Sequence, residues 1–340
     1  MMGSTPIKVL VVDDSMVFRE VITRGIASDP DITVVARAID PFDARDKILQ
    51  FAPDVMTCDV QMPKMNGIEF IRRLLPQYPL PVIVISTISA TVFDAMNAGA
   101  VDFLSKPDLN SPTGVEGFIR DLIAKIKIAA KANVQLVQQA VSTGQVEDSK
   151  PAGTDKLIAI GASTGGTEAV YSIIKALPTT LPGIVVVQHI PPIFSRMFAE
   201  RLNAQTALRV KEAETGDYVE PGTALIAPGD QHVQIHKVGG RYKVECFTGE
   251  RVNGHCPSVD VLFASVAKEA GANAIGVILT GMGYDGAKGL LAMRRKGAKT
   301  IGQDEKSCVV YGMPKVAFDI GAVGKQAALA NIPQLLYTML

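Results

Sequence analysis

The first half of the chain alternates short apolar runs with segments of helical periodicity. Buried strands are predicted at 7–12, 32–36, 54–58, 81–85 and 101–104. Helical patterns follow the first strand to about residue 27 and occupy 42–51 and about 115–130. Continuous apolar strands that alternate with helices indicate a parallel sheet with helices on both faces, which is the doubly wound α/β architecture.

The second half has the same kind of pattern. Strands are predicted at 156–160, 184–189, 242–247, 274–279 and, as the last short strand, 300–304; helices are predicted at 167–174, 196–202, 259–270 and 288–296. The stretch 216–236 is rich in turn residues and alternates apolar with polar positions, which predicts short strands joined by tight turns. We therefore expect a second, mostly parallel α/β sheet.

The segment between these halves has a different composition. Residues 141–155 are rich in Ser, Thr, Gly, Lys, Asp and Pro, and such a segment cannot bury a core. We place a first domain at 5–128, a linker at 129–155 and a second domain at 156–340.

Composition narrows the class of protein. The 340 residues suffice for about two domains. Lys+Arg and Asp+Glu are both 34, so the chain lacks the excess of basic residues that nucleic-acid-binding proteins usually have. No apolar run has the roughly 18 residues of a membrane span, and acidic residues at 13 and 14 interrupt the first run before a signal-peptide core is complete. Four scattered cysteines without a CxxC fit a reduced, cytoplasmic protein that does not insert into membranes.

Polar residues follow the predicted strands of the first domain. Asp13, Asp14, Asp59, Ser86 and Lys106 all lie at carboxyl ends of strands, which meet at one edge of a parallel sheet. Crowded carboxylates favour a hard cation such as Mg²⁺, and a lysine with a hydroxyl suits a phosphoryl group. The alternative for each aspartate is a helix N-cap.

With these residues, and with DVQMPKMNG at 59–67 and Lys106-Pro107, the first domain resembles the receiver domain of two-component response regulators. The resemblance implies a flavodoxin-like (βα)5 fold in which Asp59 is phosphorylated by a histidine kinase phosphodonor. Asp13 and Asp14 then hold Mg²⁺ together with Asp59. Lys106 contacts the phosphoryl group, and Ser86 is the switch hydroxyl, with Thr87 beside it.

Three strand-end turns of the second domain carry Ser163, His189 and Asp285. On one parallel sheet these side chains would share an edge, where His189 could activate Ser163 and Asp285 could orient His189. Each residue also has an ordinary interpretation: a helix cap, a strand-end histidine and a turn aspartate. The order Ser…His…Asp differs from those of α/β-hydrolases and chymotrypsin-like enzymes.

The other histidines are weaker candidates. His232 and His236 lie in an alternating strand and are interpreted as structural. His255, with Cys256 and Cys246, lacks the spacing of metal ligands and is assigned to a loop near the site.

The second domain resembles the catalytic domain of the chemotaxis protein-glutamate methylesterases (CheB-type). The resemblance rests on GASTGGT at 161–167, QHIPP at 188–192, IAPGD at 226–230, PSVDVLF at 257–263, GVILTGMGYDG at 276–286 and SCVVYGMP at 307–314. It implies a Ser163–His189–Asp285 triad, an oxyanion hole that includes Met282 N–H, and no cofactor in the esterase site. Thr164 N–H is the expected second donor. The implied substrates are γ-glutamyl methyl esters, and glutamines to be deamidated, on the cytoplasmic helices of chemoreceptors.

The order of the two domains predicts how access to Ser163 is regulated. The unphosphorylated receiver is expected to limit access to Ser163, and phosphorylation is expected to relieve this limit.

Two other functions are alternatives to the esterase. The hypothesis of an oxidoreductase is weakened because 161–166 is not GxGxxG and the next strand ends in Gln188-His189, where a dinucleotide-binding fold has an acidic residue. A response regulator with a non-catalytic binding output domain is the other alternative.

Overall fold

The computed structural model describes residues 5–87, 91–134 and 155–340. These residues form two compact units, one within 5–134 and the other within 155–340. Most of the predicted linker, at 135–154, lies outside the described residues, so the linker and the domain boundaries stay predictions. No helix within the described ranges is long and apolar enough to cross a membrane.

The first unit is built on a parallel sheet with the strand order β2-β1-β3-β4-β5, which is the flavodoxin-like order. Its strands are Ile7–Val12 (β1), Ile32–Ala38 (β2), Val55–Asp59 (β3), Val82–Ser86 (β4) and Asp102–Ser105 (β5). Its helices are Met16–Ile26, Pro41–Phe51, Gly67–Leu74, Val92–Asn97 and Pro112–Ala129. The fold class predicted for this half is confirmed, because buried apolar strands alternate with helices as the sequence pattern requires.

The second unit contains a sheet with the order β14-β13-β12-β6-β7-β9-β8, in which neighbours are parallel. Its strands are Leu157–Ala162 (β6), Gly183–Gln188 (β7), Arg209–Glu212 (β8), Thr223–Ile226 (β9), Ala274–Ile278 (β12), Lys299–Gln303 (β13) and Lys325–Ala327 (β14). An antiparallel hairpin, His232–Val238 (β10) with Arg241–Phe247 (β11), accompanies the sheet. The second doubly wound α/β unit is thus also confirmed.

The helices of the second unit connect these strands. They are Gly166–Ala176, Pro192–Gln205, Val259–Glu269, Ala287–Arg295, Met313–Asp319 and Ile332–Thr338, with short 3-10 helices at Gly271–Asn273, Glu305–Ser307 and Leu329–Asn331. The prediction that 300–304 is the last strand was wrong, because β14 follows it. β14 has only three residues, and Lys325 and Gln326 are exposed, so it carries no apolar pattern.

The strand order fixes the place of the site. β6 lies between β12 and β7, with Gly161 opposite Ile278 and Ala162 opposite Gln188. All six residues of β6 are buried, so the strand is a central, rigid support. Because the three strands are parallel, the loops that follow them emerge at one edge of the sheet.

We expect Gly67→Ala to lower the free energy of unfolding by about 1–3 kcal/mol, because an added Cβ would overpack the site. That atom would lie 2.1 Å from the Asp59 carbonyl oxygen, a backbone atom that cannot move aside cheaply. Calorimetric unfolding of the full chain measures the effect. Gly117→Ala is the matched control: its nearest neighbour within 4 Å is a flexible arginine side chain at 3.7 Å, and the substitution should stabilise its helix by up to about 1 kcal/mol. Equal effects of the two variants would contradict this reasoning.

Candidate functional site

Ser163 lies in the turn between β6 and the helix Gly166–Ala176. The N-cap of that helix is Gly165, which has φ +76° and makes no side-chain cap hydrogen bond. Ser163 therefore does not cap the helix, and the interpretation of this serine as a simple cap is wrong. Gly165 is required by its positive φ and by close packing, since a Cβ there would lie 2.7 Å from Val309 Cβ.

The backbone of Ser163 is held on both sides. Its N–H donates to the Thr280 carbonyl at 3.0 Å, and its carbonyl accepts from Gly166 N–H at 2.7 Å and from Gln188 Nε2 at 2.9 Å. Gly281 lies against it, so closely that an added Cβ would be 2.5 Å from Ser163 Cβ. The hydroxyl itself forms no hydrogen bond within the described part of the chain. The serine is thus fixed in place with its Oγ uncommitted.

His189 follows β7 and is tied to the strand that precedes Ser163. Its N–H donates to the Ala162 carbonyl at 3.0 Å. Its ring Nε2 is 2.9 Å from Asp285 Oδ2, which pairs the second and third residues of the predicted triad. The other ring nitrogen, Nδ1, is buried and has no hydrogen-bond partner among the described residues. If Nε2–H donates to Asp285, Nδ1 carries the lone pair of the neutral ring.

Asp285 is almost completely buried and accepts several hydrogen bonds. Oδ1 accepts from Ser258 Oγ at 2.7 Å and from Asn253 Nδ2 at 2.8 Å. Oδ2 accepts from the backbone N–H of Val259 at 2.7 Å, so the carboxylate lies at the amino end of the helix Val259–Glu269, where the helix dipole favours a negative charge.

These donors decide the charge of Asp285. Burial by itself would raise the pKa of this carboxyl, but hydrogen bonds from His189, Asn253 and Ser258 outweigh it and hold the pKa well below its ordinary value of 3.8. Asp285 is therefore ionised at neutral pH and can accept the Nε2–H of His189.

Of the two predicted oxyanion donors, Thr164 follows Ser163 in the chain, and Met282 follows Gly281, which lies against Ser163. Thr164 is buried, and its carbonyl accepts the hydroxyl of Thr280 at 3.0 Å. Met282 is half-buried, and its backbone N–H has no acceptor within the described ranges. The preceding Gly281 carbonyl accepts from the N–H groups of Gly312 and Met313 at 3.1 and 2.7 Å. The segment 307–314 thus braces the loop that carries Met282.

Two residues that sequence reasoning did not place in the site contact it directly. Asn253 bonds to Asp285, and the ring of His255 stacks on that of His189 with centroids 3.7 Å apart and planes inclined by 8°. The Asn253-Gly254 pair is a recognisable turn signal, but its position over the site depends on tertiary packing.

His232 and His236 are both on β10. His232 is buried, with Nε2 at 2.9 Å from the Glu250 carbonyl and Nδ1 accepting the N–H of Ser258 at 3.2 Å. His236 is half-buried and pairs with Glu245. Cys246 and Cys256 are free thiols.

The predicted phosphorylation site of the first unit is an acidic cluster. Ligand oxygens of Asp13, Asp14 and Asp59 lie within 4.8 Å of one another, the only such group of three among the described residues. Lys106 Nζ is 2.8 Å from Asp13 Oδ2 and 2.6 Å from Asp59 Oδ2. Oxygen ligands at this spacing fit a hard divalent cation.

The cluster is electrostatically strained. Burial, with the charge of Asp13, raises the pKa of Asp59 despite the opposing effect of Lys106. None of the three aspartates is the N-cap of a described helix; Ser15 and Asn66 cap the helices that follow β1 and β3. The interpretation of these aspartates as helix N-caps is therefore wrong.

The predicted switch hydroxyl and its neighbour differ in exposure. Ser86 ends β4 and is buried, whereas Thr87 is exposed and its hydroxyl bonds to the side chain of Gln61.

Comparisons with known proteins match both units. The family model described as response regulator receiver domain covers residues 9–111, and that described as CheB methylesterase covers residues 158–336. A protein of Syntrophomonas wolfei named protein-glutamate methylesterase/protein-glutamine glutaminase 2 is 57% identical, with 98% of each chain covered. A Salmonella typhimurium protein named protein-glutamate methylesterase/protein-glutamine glutaminase is 46% identical, covering 96% of this chain and 95% of its own. The crystal structure of the Thermotoga maritima CheB methylesterase catalytic domain is 39% identical, with a TM-score of 0.53 over 54% of this chain and 98% of its own.

Replacing Asp285 with asparagine should lower the free energy of unfolding near neutral pH by about 1.5–3 kcal/mol, because charged hydrogen bonds are lost. The folded-state pKa is depressed, so the stabilisation by Asp285 is complete well above its ordinary value of 3.8 and is lost as the pH falls below it. Urea unfolding of both proteins between about pH 7 and pH 3 measures the difference. Asp319→Asn, at an exposed position, is the control. A difference that stays constant down to about pH 3 would contradict the assignment.

Proposed function

This chain belongs to the family of CheB-type protein-glutamate methylesterases that carry a receiver domain, and we propose that Ser163, His189 and Asp285 are its catalytic triad. The enzyme is a protein-glutamate methylesterase and protein-glutamine glutaminase. Its proposed substrates are γ-glutamyl methyl esters and specific glutamines on the cytoplasmic helices of chemoreceptors. The observation that carries the proposal is the 2.9 Å contact between His189 Nε2 and Asp285 Oδ2, which leaves Nδ1 of the same ring uncommitted.

In the first half of the reaction, Ser163 Oγ attacks the ester carbonyl carbon and its proton passes to His189 Nδ1. The C–O bond to the methyl-bearing oxygen then breaks, and that oxygen takes the proton from His189 and leaves as methanol. In the second half, His189 removes a proton from water, which attacks the acyl-enzyme. The proton returns to Ser163 Oγ, and the substrate keeps a free glutamate carboxyl. A primary amide reacts in the same way and releases ammonia.

The surrounding groups lower the barrier without changing their covalent state. Asp285 stays ionised and stabilises the imidazolium that His189 becomes. The backbone N–H groups of Thr164 and Met282 are the proposed oxyanion hole, in which one donor is typically worth about 10²–10³ in rate. Met282 suits this role because its N–H is unpaired within the described ranges and its loop is braced by Gly312 and Met313.

In the receiver, Asp59 is the proposed phosphate acceptor and a histidine kinase of the chemotaxis system the phosphodonor. Asp13, Asp14 and Asp59 would hold Mg²⁺, whose charge would offset that of the transferred phosphoryl group. Lys106, already within 2.8 Å of two of these carboxylates, would contact a phosphoryl oxygen, and Ser86 would be the switch hydroxyl. Phosphorylation is proposed to raise esterase activity.

We propose the cytoplasm as the site of action of this enzyme, because the free thiols of its four cysteines support a reducing compartment.

The alternative of a binding output domain without catalysis is not favoured. The relatives that match nearly the whole chain are named as esterases.

Ser163→Ala should lower the rate of methanol release from methylated receptor by about 10⁴-fold or more, since the nucleophile is lost. Ser172→Ala, in the helix that follows the same turn, should keep the wild-type rate and is the matched control. Headspace analysis of methanol measures both. Wild-type release by Ser163→Ala would refute the triad.

Asp59→Asn should abolish activation by phosphorylation while leaving basal activity in place. With Mg²⁺ and a small acyl phosphate as donor, methanol release by the wild type is expected to rise about fivefold or more, within the usual range of allosteric coupling. Asp46→Asn changes an exposed carboxylate and should respond like the wild type. If Asp59→Asn were activated equally, the proposed phosphate acceptor would be wrong.

A further inference from the structure

The segment that connects β11 to the helix Val259–Glu269 contains a tight turn, Val252-Asn253-Gly254-His255. Val252 and His255 exchange two backbone hydrogen bonds of 3.0 Å each. Asn253 and Gly254 have φ of 54° and 85°, and positive φ at both central residues is what a two-residue type I′ turn requires. This turn, which we call the Asn253 turn, is therefore locally well defined.

One side of the Asn253 turn holds the carboxylate of the site. Asn253 Nδ2 donates to Asp285 Oδ1 and to Asp260 Oδ2, each at 2.8 Å. Two carboxylates that face one another in a largely buried site repel, and burial together with Asp285 raises the pKa of Asp260. A side-chain amide has two N–H donors and no charge, so it can bridge two acceptors without adding a third negative group.

The other side of the turn holds the imidazole. The ring of His255 lies parallel to that of His189, with an angle of 8° between planes and 3.7 Å between centroids. A flat surface at this distance restricts rotation of the His189 ring about its Cβ–Cγ bond. That rotation would separate Nε2 from Asp285 and would turn the lone pair of Nδ1 to a different direction.

We propose that the Asn253 turn is a positioning element of the esterase site, with Asn253 fixing Asp285 and His255 fixing the plane of His189. The inference rests on the proposed function, because it assigns these residues to the same site. Neither residue transfers a proton; both act through the His189–Asp285 pair. Their loss should therefore reduce kcat and leave KM nearly unchanged.

The variants separate side chain from backbone. Asn253→Gly removes the amide and keeps a residue that tolerates positive φ, so the turn is retained. His255→Ala removes the stacked ring, and His255→Phe restores a flat ring without nitrogen atoms. His236→Phe, at a half-buried histidine on β10 that pairs with Glu245, is the control substitution. Thermal unfolding of each full-length variant verifies that it is folded.

Steady-state methanol release is measured first. Asn253→Gly should lower kcat about 10- to 100-fold, by analogy with the loss of an outer partner that orients a metal ligand, and should keep KM within about twofold of the wild-type value. His255→Ala should lower kcat and His255→Phe should recover most of the loss. The double variant Asn253→Gly/Asp285→Asn should be no slower than Asp285→Asn, because residues that act through one partner are not additive. Folded Asn253→Gly and His255→Ala enzymes with kcat within about twofold of the wild type would overturn the proposal.

A second readout does not depend on activity. The chain has four histidines, so the hydrogen-bonded Nε2–H proton of His189 can be assigned by NMR with ¹⁵N-labelled histidine. We expect this signal in the wild type and its loss or displacement in Asn253→Gly and His255→Ala, but not in His236→Phe. If the wild type released no methanol, but the His189 signal were still lost or displaced in Asn253→Gly and His255→Ala, the proposed function would be refuted and the positioning role supported. An unchanged signal in both variants would refute the positioning role.

Discussion

The geometry of the proposed esterase site depends on one buried negative charge, the carboxylate of Asp285. Taking a carboxylate out of water costs several kcal/mol unless hydrogen bonds replace its hydration. Here the replacement comes from Ser258, Asn253, the backbone N–H of Val259 at a helix amino end, and His189. Because these donors also fix the orientation of the carboxylate, Asp285 can in turn fix the ring of His189. The order of the neighbouring strands β12, β6 and β7 places the turns that carry Asp285, Ser163 and His189 side by side.

The two units use strand-end carboxylates in opposite electrostatic ways. Asp285 is surrounded by donors and its pKa is depressed, which suits a residue that must remain charged while His189 gains a proton. Asp59 lies beside other carboxylates with a single lysine between them and its pKa is raised. Such crowding of carboxylates favours the binding of a hard cation. A parallel sheet offers the same edge to both arrangements, and the neighbouring side chains determine which chemistry results.

The sequence predicted the strands well because most of them are continuous buried apolar runs, and strand ends indicated Ser163, His189 and Asp59. It did not predict the helices Gly67–Leu74, Val92–Asn97, Met313–Asp319 and Ile332–Thr338, or the strands β8 and β14, all of which are short, with three to eight residues. It assigned His255 to a loop near the site without giving it a role, and it overlooked Asn253. The contacts of Asn253 with Asp285 and of His255 with His189 join positions 32 and 66 residues apart, and no local sequence pattern indicates them.

The most direct test of the account is to identify the nucleophile chemically. The full-length chain would be treated with a phosphonate ester that reacts with activated serines, and the modified peptide would be identified by mass spectrometry. The account predicts a single adduct on Ser163, formed in parallel with loss of methanol release, and none in His189→Gln. An adduct at another residue, or full inactivation without modification of Ser163, would contradict it.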